Sequence, residues 1–477
     1  MSTAPAADAP SASSASGEPA TALGRAKQTS KTRIVSWAMW DWGTQPFNTV
    51  IITFVFAVYL TSSSFGDTNF TSQALSGATA IAGLAVALAA PVLGQTADRS
   101  GRTVTVLRAL TWTLALISAA LYFVKPEPAY LWLGLCLLAA GSIISEIAGV
   151  NYNSLLDEVA GEANVGRVSG FGWGMGYLGG ILVLLVIYFG FIQPEVGWFG
   201  VTGDHSLDIR VSMIVCALWT LVFTIPTFVS LHDRPRTQRP PIPGIEAYRD
   251  RQPRWIWTWL APVAASYAEL FATIRRLWTS SRHTVYFLFA SALFRDGLAG
   301  VFAFGAVIAA GTFGFSSGDV VVFGAAANIV AGLSTIVFGL LDDKIGPKRV
   351  IVIALVALVA MGTVIFVLHD RGAVVFWIAG LIMCMFVGPA QSASRSFLAR
   401  LIPQGKSGEV FGLYATTGRV VSFLSPALFG VAIWLGARVT GQQNTQYWGI
   451  LGIVVVLLIG LAAMIPVKEH TEHGRGL

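Results

Sequence analysis

Twelve long apolar runs, separated by short polar or charged stretches, set the pattern of this 477-residue chain. They fall at roughly 34–61, 74–97, 104–124, 129–153, 165–191, 209–231, 284–312, 319–341, 348–368, 373–397, 408–436 and 446–466. A run of about 20 apolar residues is what a helix needs to cross a bilayer. Backbone groups in lipid must be satisfied within the structure, which leaves helices or closed barrels. The runs are apolar throughout and lack the in–out alternation of barrel strands. The pattern predicts an all-α membrane protein with twelve transmembrane helices, numbered helix 1 to helix 12 in chain order.

The polar stretches organise the rest. Residues 1–33 are rich in Ala, Ser, Thr and Pro and predict a disordered tail. No short apolar segment with a cleavage site precedes the first run, so that run reads as a span and not a signal peptide. Residues 467–477 form a second tail, and the longest polar stretch, 232–283, separates a half at 34–231 from a half at 284–466. That stretch opens Pro- and Arg-rich. From Trp255 to Trp278 it mixes Trp257, Trp259, Leu260, Leu270, Phe271, Ile274 and Leu277 with Glu269, Arg275 and Arg276. This predicts an amphipathic helix in the membrane interface, aromatic side inward and arginines on the lipid headgroups; a regulatory or partner helix is the alternative. With the N-terminus inside, only Lys125, Arg210, Arg371 and Arg438, four of the 31 Lys and Arg, fall in outer loops. The excess of basic residues inside predicts a cell-membrane protein with both termini cytoplasmic.

Composition agrees. The chain is 54% hydrophobic and 12% charged, with a mean hydropathy of +0.66; soluble domains carry about 25% charged residues. The net charge of +6 is accounted for by the cytoplasmic loops and does not call for nucleic acid. Cys136, Cys216 and Cys384 lie in separate apolar runs and read as packing residues.

Two charged stretches repeat. Gly94-Gln95-Thr96-Ala97-Asp98-Arg99-Ser100-Gly101-Arg102 lies between the second and third runs, and Gly339-Leu340-Leu341-Asp342-Asp343-Lys344-Ile345-Gly346-Pro347-Lys348-Arg349 lies between the eighth and ninth. A single offset of 245 residues aligns Gly94 with Gly339, Asp98 with Asp343, Arg99 with Lys344 and Gly101 with Gly346. A second echo, at 242, relates Gly166-Arg167-Val168-Ser169-Gly170 to Gly408-Glu409-Val410-Phe411-Gly412. Repeats at half the chain length predict two pseudo-symmetric six-helix halves made by duplication.

Ionisable residues inside the runs are few. They are Asp41 in helix 1, Glu146 in helix 4, Arg295 and Asp296 in helix 7, Arg395 towards the inner end of helix 10, and Arg419 in helix 11. Each costs at least about 2.5–3.5 kcal/mol in a bilayer and is expected to face a cavity or a partner. Arg295 and Asp296 lie near the midplane, where secondary transporters bind substrate. Neighbours on a helix point about 100° apart, so the two face different surroundings. One of them is expected on the cavity, with Gln45 and Asn48 of helix 1 as polar neighbours. Glu146 is the carboxylate best placed for proton coupling, Arg419 a candidate for an anionic substrate group, and Asp41 a further candidate. A structural role in helix–helix charge pairs is the alternative for each, with Asp41 or Glu146 as the partner of Arg419.

The pattern G-x-x-x-D-[RK]-x-G-x-[RK] in two copies resembles the signature loops of the major facilitator superfamily. In that fold helices 1, 4, 7 and 10 line the central cavity, which matches most of the interior charges. Trp37-Ala38-Met39-Trp40-Asp41-Trp42-Gly43, Asn151-Tyr152-Asn153-Ser154, Gly166 to Gly180 and Gln391-Ser392-Ala393-Ser394-Arg395-Ser396 resemble, more narrowly, bacterial relatives of the autophagy-related vacuolar amino-acid effluxers. The first signature stretch departs from the superfamily at Thr103, where a second basic residue is usual. The resemblance implies a secondary transporter working as a monomer by alternating access on a small-molecule substrate. It also implies, more loosely, efflux of amino acids or similar solutes, with protons as a possible coupling ion. The signature residues Gly94, Asp98, Arg99, Gly101, Arg102, Gly339, Asp343, Lys344, Gly346 and Arg349 would act as cytoplasmic latches. A transport-inactive sensor or scaffold on the same fold is the alternative.

Other chemistries find no support in the sequence. Gly174-Met175-Gly176-Tyr177-Leu178-Gly179 fits G-x-G-x-x-G but lies inside a span without a preceding strand, and its glycines suit close helix packing. The six histidines lie in loops, tails or span ends, and no H-E-x-x-H or Walker A pattern occurs. No enzyme activity, cofactor or metal is expected.

Overall fold

The computed structural model describes residues 30–66, 68–161, 164–233, 254–280, 282–315, 317–402, 407–441 and 445–468. The tails at 1–29 and 469–477 and the Pro-rich part of the linker at 234–253 lie outside the described residues. Eleven helices among those described are long and apolar enough to cross a membrane. The twelfth is helix 2, Thr68–Ser100. Helices 3 to 6 are Thr103–Ala120, Leu131–Ser154, Val165–Ile187 and Leu207–Ser230. Helices 7 to 10 are Arg282–Phe313, Ser317–Ile345, Pro347–Val367 and Ala373–Leu401. Helix 12 is Gly449–Met464.

Helices 1 and 11 are not the uniform spans that the hydropathy predicts. Helix 1 runs Lys31–Pro46, widens into a π-type segment at Phe47–Phe54, breaks at Val55 and resumes at Phe56–Leu60. Pro46 offers no N–H to the ladder. The widening is visible in the Val55 N–H, which reaches back five residues to the Val50 carbonyl at 2.8 Å. Helix 11 divides into Ser407–Val421 and Leu424–Thr440. Pro426 explains the division: its ring clashes with the carbonyl four residues back, at Ser422.

A second difference concerns the repeated stretches. Asp98, Arg99, Asp343 and Lys344 are not loop residues but belong to the last turns of helices 2 and 8. The chain reverses at Gly101, with φ +65°, and Gly346, with φ +88°. L-residues with side chains avoid that region, so both copies need glycine there. Helices 3 and 9 begin within two residues, the latter with Pro347 at its first position.

Three helix N-termini take a carboxylate from elsewhere in the chain. Asp233, after helix 6, accepts the N–H groups of Val104 and Thr105 in helix 3 at 2.9 and 3.1 Å. Asp296 of helix 7 accepts the Ser425 N–H at 2.6 Å, and the Ser425 hydroxyl donates to the Asp296 carbonyl at 3.0 Å. Asp343 of helix 8 accepts the N–H groups of Gly166 and Arg167 in helix 5, both at 2.8 Å. First-turn N–H groups have no partner within their own helix, and carboxylates there also meet the positive end of the helix dipole.

The two halves meet along helix 5 against helix 8, helix 2 against helix 11, helix 10 against helix 5 and helix 4 against helix 11. One buried apolar cluster crosses between them, joining Trp37, Tyr152 and Val168 of the first half to Phe287, Phe397 and Phe411 of the second. A separate cluster, with Phe47, Phe56, Leu60, Leu121 and Leu135, belongs to the first half alone. In the first half this cluster lies towards the face that carries the signature stretches, here called the basic face; in the second half it continues to Phe313, Phe315 and Phe376 at the other end. At Gly170 the approach is between backbones. An ideal Cβ on Gly170 would stand 2.6 Å from the Thr335 carbonyl and 2.7 Å from the Gly339 Cα, closer than real Cβ contacts allow. Along the linker, a helix spans Arg254–Ser280. Ser266, Leu270, Thr273 and Leu277 are buried, while Phe271, Arg275, Arg276 and Trp278 are exposed. It packs on helices 2 and 7, and its Tyr267 hydroxyl donates to the Leu88 carbonyl of helix 2. The side chains of Trp255, Trp257, Trp259 and Leu260 lie outside the described residues.

Replacing Asp296 by Ala removes the cap on the second part of helix 11 and leaves a buried N–H without its partner. Lost caps and buried donors cost about 1–3 kcal/mol. Asp296→Ala is expected to lower the melting temperature of the purified protein clearly, and Asp296→Asn, which keeps an acceptor oxygen, by less. Equal melting of all three proteins would remove the cap from this account.

Candidate functional site

Arg395 of helix 10 is almost wholly buried, with a side chain 4% exposed. Its described partners all come from the other half. Nε donates to the Ser169 hydroxyl at 3.0 Å and Nη2 to the Ser169 carbonyl at 2.7 Å. Nη1 donates to Asn153 Oδ1 at 3.0 Å and lies 3.6 Å from Asp41 Oδ2. Trp37, Tyr152 and Trp173 present their rings to the guanidinium at 5.2 to 5.7 Å. Tyr152 stacks between Trp37 and Trp40, with both centroids at 4.3 Å, and its hydroxyl donates to Asp41 Oδ2 at 2.8 Å. The aromatic run of helix 1 therefore builds a box, and Gly172 of helix 5 leaves room for it against Trp37, Asp41 and Arg395.

Towards the basic face, Asp343 caps helix 5 across the halves and pairs with Arg400 of helix 10 at 2.7 Å. The buried Asp342 shares Arg400 at 3.0 Å and accepts from the Ser396 hydroxyl. Lys344, Arg102 and Arg349 are exposed on that face. Gly94, Asp98 and Arg99 lie in helix 2, and nothing of their side chains falls within the described residues. The contact of helix 2 with helix 11 is described further along, where the Thr416 hydroxyl donates to the Ala87 carbonyl at 3.0 Å.

Nearer mid-membrane, Arg419 of helix 11 pairs with Glu146 of helix 4, again across the halves. The side chains are 34% and 41% exposed. Charges so exposed midway along membrane helices face water and not lipid. Arg295 lies with its guanidinium carbon 3.8 Å from the centroid of the Tyr414 ring and Nη1 donating to the Tyr414 carbonyl at 3.0 Å. In helix 1, Gln45 faces Gly176 and Thr49 faces Gly180 of helix 5, while Asn48 is exposed in the widened segment. Tyr177, beside Gly176, stacks on Phe302 of helix 7 at 6.3 Å. An apolar cavity of about 40 Å³ in the second half, lined by Val301, Phe323, Met383, Cys384 and Ile450 among others, is separate from these groups.

The residues singled out by sequence thus sort into different surroundings. Asp41 meets Arg395, not Arg419; Glu146 meets Arg419. Asp296 is 6% exposed and bound to helix 11, so of the two residues of which one was expected on the cavity, it takes a capping role. Gln45 and Asn48 are not bonded to the Arg295–Asp296 pair among the described residues. The sequence reading assigned no function to Arg395, Arg400, Asp342, Tyr152, Asn153 or Ser169. The signal was present for four of them, since Arg395, Tyr152, Asn153 and Ser169 fall in the distinctive stretches quoted above. The pairing of Asp342 with Arg400 had no sequence signal, because Asp342 aligns with Ala97 in the first copy.

Removing one partner of a buried ion pair costs about 3–5 kcal/mol, since the other charge is left uncompensated. Arg395→Gln and Asp41→Asn are each expected to lower the melting temperature strongly. The double variant is expected to fall short of the sum of the two, a coupling that a double-mutant cycle reads directly. Strict additivity would show that the two residues act independently.

Comparison with known proteins gives the family and the fold. The family model described as vacuole effluxer Atg22 like matches residues 57–474. An uncharacterized MFS-type transporter, YxiO of Bacillus subtilis (strain 168), is 25% identical over 446 residues, covering 92% of this chain and 95% of the relative. Autophagy-related protein 22 of Yarrowia lipolytica is 25% identical over 361 residues, 72% of this chain; the matched region spans 57% of that longer relative. The solved structure of the proton:xylose symporter XylE bound to 6-bromo-6-deoxy-D-glucose superposes with a TM-score of 0.63 at 13% identity, over 91% of this chain and 93% of that one. The chain belongs to the Atg22-like family of membrane transporters and has the twelve-helix major facilitator fold.

Proposed function

We propose that this protein is a secondary transporter that exports amino acids or related small solutes across the cell membrane by alternating access. One observation carries the reading. Among the described residues, the polar ties between the halves run from the basic face to the Glu146–Arg419 pair, and that last pair is the part-exposed one of the two interior ion pairs between the halves. This is the arrangement of a gate closed on one face beneath a central site. The basic face is the cytoplasmic one by its Lys and Arg content. The family's description as effluxers supports export, and the name of the solved relative XylE makes protons a reasonable coupling ion. Asp41 and Glu146 are the membrane carboxylates available for that role, since Asp296 is engaged as a helix cap.

In one cycle, the halves rock about the midplane. Opening the cytoplasmic face separates Asp343 from helix 5 and Arg395 from Asp41, Asn153 and Ser169. A solute then enters from the cytoplasm, and closure restores those ties as the opposite face opens. The cap by Asp343 is partly wet, and contacts of that kind contribute about 1 kcal/mol, weak enough to break in each cycle.

The test is flux in proteoliposomes. Vesicles loaded with a metabolite mixture and assayed by mass spectrometry are expected to release a small set of solutes faster than protein-free vesicles. Asp343→Asn is expected to slow that release several-fold while leaving the melting temperature within a few degrees. Binding without flux for every solute tried would replace this reading by the sensor or scaffold. Flux indifferent to an imposed pH gradient would remove the proton from the cycle.

A further inference from the structure

Among the described residues, the interior charges singled out by the sequence, Arg295 apart, each have an ion-pair or capping partner. Arg395 is held by Asp41 and its neighbours, Arg419 by Glu146, and Asp296 by the Ser425 N–H. Arg295 has no carboxylate partner among the described residues. Its contacts are the Tyr414 ring beneath the guanidinium and the Tyr414 carbonyl, which takes one of its five N–H donors. The ring holds the guanidinium flat without neutralising it. Tyr414 is itself fixed, its hydroxyl 2.6 Å from the Ser394 hydroxyl of helix 10. Gly418 gives the group its space, since an ideal Cβ there would stand 3.3 Å from Nη1.

The direction in which Arg295 faces follows from helix geometry. Arg295 and Phe302 are seven residues apart, two turns, and share one face of helix 7. Phe302 stacks on Tyr177 of the other half. That side of helix 7 therefore meets the other half at Phe302, while the Arg295 guanidinium itself lies against Tyr414 and beside Gly418 of helix 11. A part-buried charged group in a membrane helix, with no counter-ion among the described residues, is built to meet a counter-ion from outside the protein.

We propose that Arg295 is the anchor for a carboxylate group of the transported solute. The free side of the guanidinium offers paired donors that match the two oxygens of a carboxylate. The solute is thus a small organic acid or amino acid, in contrast to a sugar, a neutral solute or a cation. This rests on the transport reading for the word transported, and on the geometry of Arg295 alone for the binding.

Binding is tested without flux. Purified protein is titrated with small carboxylates (acetate, lactate, succinate, leucine and glutamate) and with the carboxamides of the same skeletons, and melting temperature is followed. At least one carboxylate is expected to raise the melting temperature of the native protein by several degrees, with its carboxamide giving no shift. Arg295→Gln is expected to abolish the shift. Arg295→Lys, which keeps the charge but not the paired donors, is expected to weaken apparent affinity about tenfold and so controls for misfolding of the first variant. Equal shifts by acid and amide, a shift retained in Arg295→Gln, or no shift with any carboxylate would each overturn the assignment. Arg295-dependent binding without flux would leave the anchor standing and overturn the transport reading; flux of neutral solutes without carboxylate binding would do the reverse.

Discussion

Arg395 is a cation of the second half whose described polar partners all belong to the first. In the low-dielectric interior an unpaired guanidinium is very costly. The position of the halves and the fate of this one charge are therefore the same question. With Asp41, Asn153 and Ser169 around it, the basic face is closed. The aromatic box of Trp37, Tyr152 and Trp173 narrows the geometries that satisfy the guanidinium to nearly one. This is how a contact of a few residues fixes the relation of two six-helix bodies.

The borrowed caps form a second layer of the same logic. A helix end inside a membrane protein has N–H groups that water cannot always reach. Asp233 and Asp296 satisfy such ends within one half, where nothing has to separate. Asp343 does so across the halves. The chemistry is shared and only the partner differs: two of the caps lie within a half and one ties the halves together. The duplication is visible here too, because Gly101 and Gly346 both end their helices with a positive φ.

Hydropathy and charge made the spans and the halves legible, because bilayer thickness imposes a length that no tertiary contact can override. Composition could not reveal where a span is irregular. The break at Ser422-Phe423 depends on Pro426 and on a carboxylate 129 residues earlier in the chain. The widened turn at Phe47–Phe54 leaves no mark in an apolar average. For the site, sequence located the interior charges but not their partners. Asp41 and Arg395 are 354 positions apart in the chain, and only packing brings them together. The adjacency of Arg295 and Asp296 was legible and so was their divergence; which neighbour each would find was not.

The Gly170–Gly339 contact has a consequence for repeated motion. Most interfaces freeze side-chain rotamers when they form, at a cost of up to about 1.5–2 kcal/mol for a long flexible residue. At Gly170 and Gly339 two backbones meet, already rigid within helices 5 and 8, whatever the proposed rocking of the halves does elsewhere. Nothing in them needs to be ordered on closing or is set free on opening. The contact behaves as a dry bearing, and its conformational entropy is nearly the same at the start and the end of every stroke.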